Sequence, residues 1–501
     1  MAQKSPNERI IFGLKTKRLR QEQKLSFAQL AERTGMSLSY LNEIEKGKKF
    51  PKPDKVKLLA KALNTSPEEL SSHELDRSLA PVEQLLQSNF LNELPLELFG
   101  IELNKIAEII ASAPARVGAF VSTLLDLSRS YALREDNFYF GALRSYLELN
   151  NNYFQELEDA ALAFSERYKL PSSRPLPPRL LAELLTKRYG YKIKEGGLDQ
   201  HPDLKGLRSV FLPQSKQLLL NSNLSPMQRS FQFGKEIAFN YLKLKERANT
   251  SSLLRSRVFE EVLNHSQAVY FSVCLHLPLA DFVADMEQFF SLPKWDGEAM
   301  MRIVQRYNAS PEMFFHRLTN VLPTVFGLQK LFFLRFLHNP EQDNFSIDKE
   351  LHLNRRHHPH GNGLYEHYCR RWISISLLQD LQKMQAEGLY VPNMVNAQRS
   401  RYIGTDDEYL CITLARPSYP SPTNNVSVTL GLLINDELRA KIKWLDDPTI
   451  QTKEVNTTCE RCPIEDCQER AAPPLIVQKR NDHRKIQAAL TKINELDQIA
   501  N

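Results

Sequence analysis

Ser37-Leu38-Ser39-Tyr40-Leu41-Asn42-Glu43-Ile44-Glu45-Lys46-Gly47 is the stretch on which the reading of this chain turns. Leu41 and Ile44 lie three residues apart, a spacing that puts them on one face of a helix. The remaining positions then carry Ser37, Leu38, Ser39, Asn42, Glu43 and Lys46 on the other face. Just upstream, Ser26 is placed to cap a helix over Phe27–Arg33, and Thr34-Gly35-Met36 interrupts the periodicity. Two short helices joined by a few residues that include glycine form a helix-turn-helix pattern. Gly35 supplies the left-handed turn residue, and Ala31 is small where the helices would cross.

The charge around this stretch is uneven. Residues 1–64 hold 15 Lys and Arg against 6 Asp and Glu, whereas the whole 501-residue chain sums to only +6, leaving a slightly acidic remainder. A basic head on an acidic body points to a polyanion-binding module joined to something else. The expected partner is double-stranded DNA. Asn42 suits bidentate reading of adenine, Glu43 can accept from a cytosine amine, and Ser37, Leu38, Ser39 and Tyr40 complete the surface that would enter a major groove. Lys46, Lys48 and Lys49 fall where phosphates would pass. With Phe50-Pro51 and Lys57-Leu58-Leu59-Ala60 following it, the segment resembles the Cro/CI-type (XRE) helix-turn-helix family, and that resemblance implies a five-helix bundle over residues 8–70 and binding as a homodimer.

Length and composition bound the rest. A chain of 501 residues exceeds one hydrophobic core, and 42% hydrophobic with 25% charged residues is ordinary for a globular protein. No run of 18 uncharged apolar residues occurs and the first residues are polar, so neither membrane insertion nor export is expected. Six cysteines make no disulfide scaffold, and a reducing cytoplasmic location is the expectation. Residues 71–170 read as a helical connector with a dimerisation role. Four prolines between Pro171 and Pro178 mark a boundary.

Beyond it, a helix over Arg179–Tyr191, a hairpin from Val210-Phe211-Leu212-Pro213 and Lys216–Leu220, and a long helix over Met227–Leu244 follow in order. That order, over residues 171–290, resembles the ImmA/IrrE-like family, a zincin-type metallopeptidase fold of α+β class. The resemblance implies that the last helix carries His-Glu-x-x-His in active members, two histidines one turn apart binding zinc with the glutamate as general base. Here the positions read Lys235-Glu236-Ile237-Ala238-Phe239, and the third ligand position, ahead of an Ala-x-x-Phe-like pattern, is Gln267. The expectation is therefore no zinc site at Lys235, Phe239 and Gln267, no catalytic zinc, and no peptidase activity. Glu236 is expected to be structural, paired with Lys235.

Cys459-x2-Cys462-x4-Cys467 concentrates half of the cysteines within nine residues. Tetrahedral zinc and a [4Fe-4S] cluster each take four ligands, so a distant cysteine would complete either. Cys411 sits in an alternating strand-like run and Cys274 in an apolar helix, which makes both core residues. The segments Thr458–Cys462, Asp466–Ala471 with Pro473-Pro474, Ser310–Leu318, Phe332–Arg335 and Cys369-Arg370-Arg371-Trp372 resemble the short-chain fatty acyl-CoA regulator family. That resemblance implies a fourth ligand at Cys369, an iron–sulfur cluster in preference to zinc, and a sensor domain over residues 291–475 that takes an acyl-CoA effector. Arg355-Arg356-His357-His358-Pro359-His360, with His352 and His367 nearby, reads as a solvated loop. Residues 476–501 read as a charged C-terminal helix, packed or dimer-forming.

The fold class expected is thus multidomain, mainly α with α+β. The function expected is a DNA-binding transcription regulator whose body senses a metabolite. An iron–sulfur redox sensor and a repressor-cleaving metallopeptidase are the alternatives.

Overall fold

The computed structural model describes residues 6–72, 135–251, 258–342, 344–353, 366–418 and 424–500. The expected connector positions 73–134 and the histidine-rich loop at 354–365 lie outside these. The chain divides into two compact units, residues 1–146 with 255–260, and residues 147–254 with 261–501.

The first unit opens with the helices α1 (Pro6–Glu22), α2 (Phe27–Thr34), α3 (Leu38–Glu45), α4 (Pro53–Ala62) and α5 (Pro67–Ser71). Local chemistry sets their ends. Ser26 accepts from the Gln29 amide while Gln29 returns a bond to the Ser26 backbone, a capping box that satisfies two amides left open at a helix start. Gly35 ends α2 at φ +66°, a conformation that a side chain resists. Ser37 then caps α3 through the Tyr40 amide. Phe12, Leu30, Leu41, Ile44, Leu59 and Leu63 fill the core, and the bidentate Arg20–Glu45 pair, at 2.6 and 3.0 Å, fastens α1 to the end of α3.

Most of α6 (Glu135–Leu149) also falls in the first unit; the second unit begins at residue 147, and its first whole helix is α7 (Gln155–Arg167). Next come α8 (Pro178–Tyr189), β1 (Lys192–Lys194), β2 (Ser209–Leu212), β3 (Gln217–Leu220), α9 (Pro226–Tyr241) and α10 (Phe259–His276). The three strands lie in the order β1-β3-β2. β2 and β3 form the antiparallel hairpin expected from sequence, and β1 adds parallel to β3. Leu157, Ala161 and Phe164 of α7 share one core with Leu181 and Leu185 of α8, Phe233 and Ile237 of α9 and Phe271 of α10. The last helix of the expected connector therefore packs within the peptidase-like region.

Then follow α11 (Leu279–Phe290), α12 (Gly297–Arg306), α13 (Pro311–Thr324), β4 (Leu331–Asn339), β5 (Asn344–His352), α14 (Ile373–Ala386), β6 (Met394–Tyr402), β7 (Glu408–Pro417), β8 (Asn425–Leu433), α15 (Asp436–Lys441), β9 (Gln451–Val455) and α16 (Leu475–Ala500). Six strands form one sheet in the order β5-β4-β8-β7-β6-β9, antiparallel except where β9 joins β6. Helices cover both faces, and the two-residue period of the strands sorts the side chains. Leu410, Ile412 and Leu414 of β7 meet the α11–α13 core, while Tyr409, Cys411 and Ala415 meet the core beneath α14. β8 is buried along its whole length, as a central strand covered on both faces must be. Among the described residues no single helix is long and apolar enough to cross a membrane; α10 and α11 pass that test only as a pair bent by 70°, and both line the cores just described.

Candidate functional site

Three sites follow from the sequence, and the structure builds them differently. In α3, Leu41 and Ile44 are fully buried, so Ser37, Leu38, Ser39 and Asn42 stand exposed and Tyr40, Glu43 and Lys46 are half-buried. Leu38 is 52% exposed, an apolar side chain that the bundle does not use. Other predicted residues are partly committed. The Ser37 hydroxyl accepts the Tyr40 amide, Lys55 sits 4.5 Å from the Tyr40 ring centroid, and Glu43 pairs with Lys49 at 2.8 Å. Lys48 and Lys49 are exposed beyond the helix end.

The Lys235-Glu236-Ile237-Ala238-Phe239 run lies on α9. Ser225 and Gln228 form its capping box, and residues Phe233 to Phe239 are all buried. Gly234 allows a close approach to α10, because a Cβ there would stand 2.3 Å from the Ser272 hydroxyl. Glu236 does not pair with Lys235. Its carboxylate accepts both arms of the Arg247 guanidinium at 2.8 Å each and the Tyr191 hydroxyl at 2.9 Å. Asn240 donates to the same hydroxyl at 3.0 Å. Phe239, at the second histidine position, and Phe211 lie 4.0 and 4.5 Å from the guanidinium carbon. Burial disfavours the Arg247 cation, but the Glu236 carboxylate holds its pKa above the ordinary value.

Lys235 points elsewhere, donating to the Ser251 carbonyl at 3.1 Å and standing 3.4 Å from Nε2 of His265. Burial pulls the Lys235 ammonium down to about 7, and burial with the neighbouring cations holds His265 well below its usual range. The α10 side chain within reach of Lys235 is thus His265, two residues before Gln267. Tyr191, Arg247 and His265 escaped the sequence reading, since none stands at a patterned spacing from the Lys-Glu-x-x-Phe run.

The cysteine site is assembled by backbone pairing. Tyr368 and Thr458 form an antiparallel bridge; the Cys459 amide donates to His367 O at 2.9 Å, and the Cys369 amide to Thr457 O at 3.2 Å. Cys369 is thereby brought to the Cys459–Cys467 loop; Cys411 lies in the same hydrophobic core as Cys369, beneath α14, and Cys274 in the core shared by α7 to α10. Charged side chains tie the loop from outside. Glu366 accepts Nε and Nη2 of Arg461, both at 2.7 Å, and the Thr458 hydroxyl at 2.6 Å. Glu460 accepts the amide and ring of His367, the ring at 2.8 Å. Arg470 donates to the carbonyls of Cys459, Cys462 and Ile464.

Cys369, Cys459 and Cys462 are buried and Cys467 is half-buried. Burial pushes the Cys369 thiol up to about 11, and the Ala471 amide donates to the Cys459 sulfur at 3.4 Å. Among the described residues no three His, Cys, Asp or Glu side chains converge as a ready-made metal cage. The four thiols suit a thiolate-bound group in number and chemistry, but the structure does not gather three of them at one point.

A narrow cleft elsewhere in this unit, with about 10 Å³ of space open to water, is lined by Arg208, Glu312, Arg335, Arg416 and Ser418. Glu312 bonds Lys349, and Arg335 bonds Asp348. Burial opposes the Glu312 charge, yet Lys349, Arg335 and Arg208 hold its carboxyl well below the usual range.

Comparisons with known proteins agree with this layout. Residues 17–70 match the family described as helix-turn-helix, and residues 198–319 match the IrrE N-terminal-like domain of the M78 peptidases. Over 333 residues the chain is 24% identical to the HTH-type transcriptional regulator PrpR of Mycobacterium tuberculosis, a match covering 62% of this chain and 64% of that relative's length. A solved structure described as a Mycobacterium tuberculosis transcriptional regulator is similar over 67% of this chain and 94% of its own, with 19% identity and a TM-score of 0.46.

Proposed function

We propose that this protein is a DNA-binding transcription regulator whose body senses a small metabolite and has no peptidase activity. The observation that carries the first part is α3, held rigidly by Leu41, Ile44 and its Ser37 cap, with Leu38, Ser39 and Asn42 exposed and Lys48 and Lys49 beyond its end. A rigid helix with an exposed polar face and flanking cations can read base edges while phosphates fix its register. The M. tuberculosis relative, a transcriptional regulator by name, supports the reading.

Loss of enzymatic function is supported by Arg247, which already neutralises Glu236 where a metal-bound water would be needed. The effector we favour is a short-chain acyl-CoA, on the resemblance of Ser310–Leu318, Phe332–Arg335 and the Cys459–Cys467 segment to the short-chain fatty acyl-CoA regulator family. Cys369, Cys459, Cys462 and Cys467 would hold a [4Fe-4S] cluster, which supplies one-electron redox chemistry when bound. This chain's part is to present the thiols, screen them with Arg470 and tie the loop through Glu366–Arg461.

The test is fluorescence anisotropy on a duplex selected from random sequence by the wild-type protein. Asn42→Ala should weaken that duplex by about 1–3 kcal/mol and leave unrelated DNA nearly unaffected. Equal loss on both would remove α3 as a base reader. Butyryl-CoA should change the selected affinity whereas free coenzyme A changes it less, and no response to any acyl-CoA would remove that effector.

A further inference from the structure

We infer that the cleft formed by the β2 edge and α9 is a docking site for an extended peptide bearing an arginine, and that residues 247–251 are its resident internal ligand. β2 is an outer strand of the three-stranded sheet, and a strand edge presents backbone groups that another extended segment can pair with. Here the chain supplies that segment itself. Val210 and Thr250 form an antiparallel bridge, the Phe211 amide donates to Asn249 O at 2.7 Å, and the Ser251 amide donates to Ser209 O at 2.9 Å. The Arg208 amide donates to the Ser251 hydroxyl at 2.9 Å, and Lys235 of α9 donates to the Ser251 carbonyl at 3.1 Å. Main-chain bonds along one edge, combined with a pocket for one side chain, are how a docked peptide is held.

The pocket is taken by Arg247. Its guanidinium stands over the Phe211 and Phe239 rings and meets Glu236 with both arms, while the Tyr191 ring stacks on Phe211 with 4.9 Å between centroids. Stacking and a two-armed carboxylate bond select a guanidinium over an ammonium. The remainder of the segment is held weakly. Its only apolar residue is Ala248, Asn249 is exposed, and the bridge at Val210 is an isolated one. Such polar contacts exchange at small net cost when a newcomer makes the same bonds. Leaving Glu236 buried without a cation is the costly outcome, so a competitor must bring its own guanidinium. Because the resident is tethered, it competes at an effective concentration on the order of mM. Binding at this cleft breaks no peptide bond and is independent of the DNA-binding reading.

The probe is a fluorescein-labelled peptide copying residues 245–251, added to the full chain without DNA. Ser251→Pro removes the amide that bonds Ser209 and the hydroxyl that accepts the Arg208 amide, which loosens the resident while Arg247 and Glu236 remain. Fluorescence anisotropy should show this variant binding the peptide at least tenfold tighter than the wild type does, and a copy with lysine in place of arginine at least tenfold weaker. No binding to a Ser251→Pro protein of unchanged circular dichroism, or equal binding of the two copies, overturns the site. The wild type gives a second measurement that needs no folded variant. With unlabelled peptide at about 1 mM, hydrogen-exchange mass spectrometry should show faster exchange at residues 247–251 while residues 209–212 stay protected, because the newcomer replaces the resident on β2. Unchanged exchange at 247–251 overturns the displacement.

Discussion

Two parts of the second unit look in sequence like metal sites, and their chemistry differs. On α9 the ligand positions are occupied by side chains that satisfy one another: Glu236 holds Arg247 and Tyr191, Phe239 covers the guanidinium, and Lys235 is spent on Ser251 and His265. A dication entering there would meet two buried cations. In the loop at Cys459–Cys467 the charges bond to one another and to carbonyls, and the thiols meet backbone groups, Ala471 at Cys459, Asn456 and Arg371 at Cys369 and Glu469 at the half-buried Cys467. One centre is closed by compensation. The other frames thiols instead of buried ion pairs, and on the proposed reading it is open to a ligand.

The largest expected effect breaks the closed centre. Arg247→Leu leaves the Glu236 carboxylate buried without its guanidinium and should cost about 3–5 kcal/mol in urea unfolding, with Glu236→Gln in the same background recovering part of it. A loss below 1 kcal/mol would mean that the pair does not lock the centre.

Lys235 gives a smaller effect of opposite sign. Its folded-state pKa, about 7 against an ordinary 10.5, means that the unfolded chain binds more protons between those values, so this group makes stability rise with pH across that window. Below pH 7 both states are protonated and the cost of the buried ammonium is complete. Lys235→Met should therefore stabilise the protein by about 1–4 kcal/mol at pH 6–7, with the gain shrinking towards pH 10. A thermal-denaturation series that shows the same gain at pH 6 and pH 10 would contradict the placement of Lys235.

The open centre is sharpened by a substitution that hardly touches stability. Cys467 is half-buried, so Cys467→Ser should change the metal-free fold by less than about 0.5 kcal/mol. Protein purified without oxygen should nevertheless lose most of its bound iron in this variant, read by iron and sulfide assay, whereas Glu236→Gln should keep it. Iron retained in Cys467→Ser would remove that thiol from the site.

Much of this was legible along the chain because it depends on local pattern. The Ser26 cap, the Gly35 turn, the inward Leu41 and Ile44, the β2–β3 hairpin and the core placement of Cys274 and Cys411 follow from spacings within a few residues. The partner of Glu236 was not legible. Lys235 is its neighbour in sequence, but adjacent residues on a helix point about 100° apart, so the carboxylate met a guanidinium eleven residues on. The same geometry brought His265 rather than Gln267 to Lys235.

By itself, then, the sequence determined where helices start and stop, which faces are apolar, that Lys235, Phe239 and Gln267 stand where the resemblance puts zinc ligands, and that three cysteines share one loop. These are short-range properties of backbone sterics, capping and periodicity. Only the tertiary structure decided which charge neutralises which, that Tyr368 pairs with Thr458 to bring Cys369 to that loop, and that residues 247–251 lie along the β2 edge. Those outcomes depend on which distant segments meet once the two-residue and 3.6-residue faces have found their cores, and no spacing along the chain encodes that meeting.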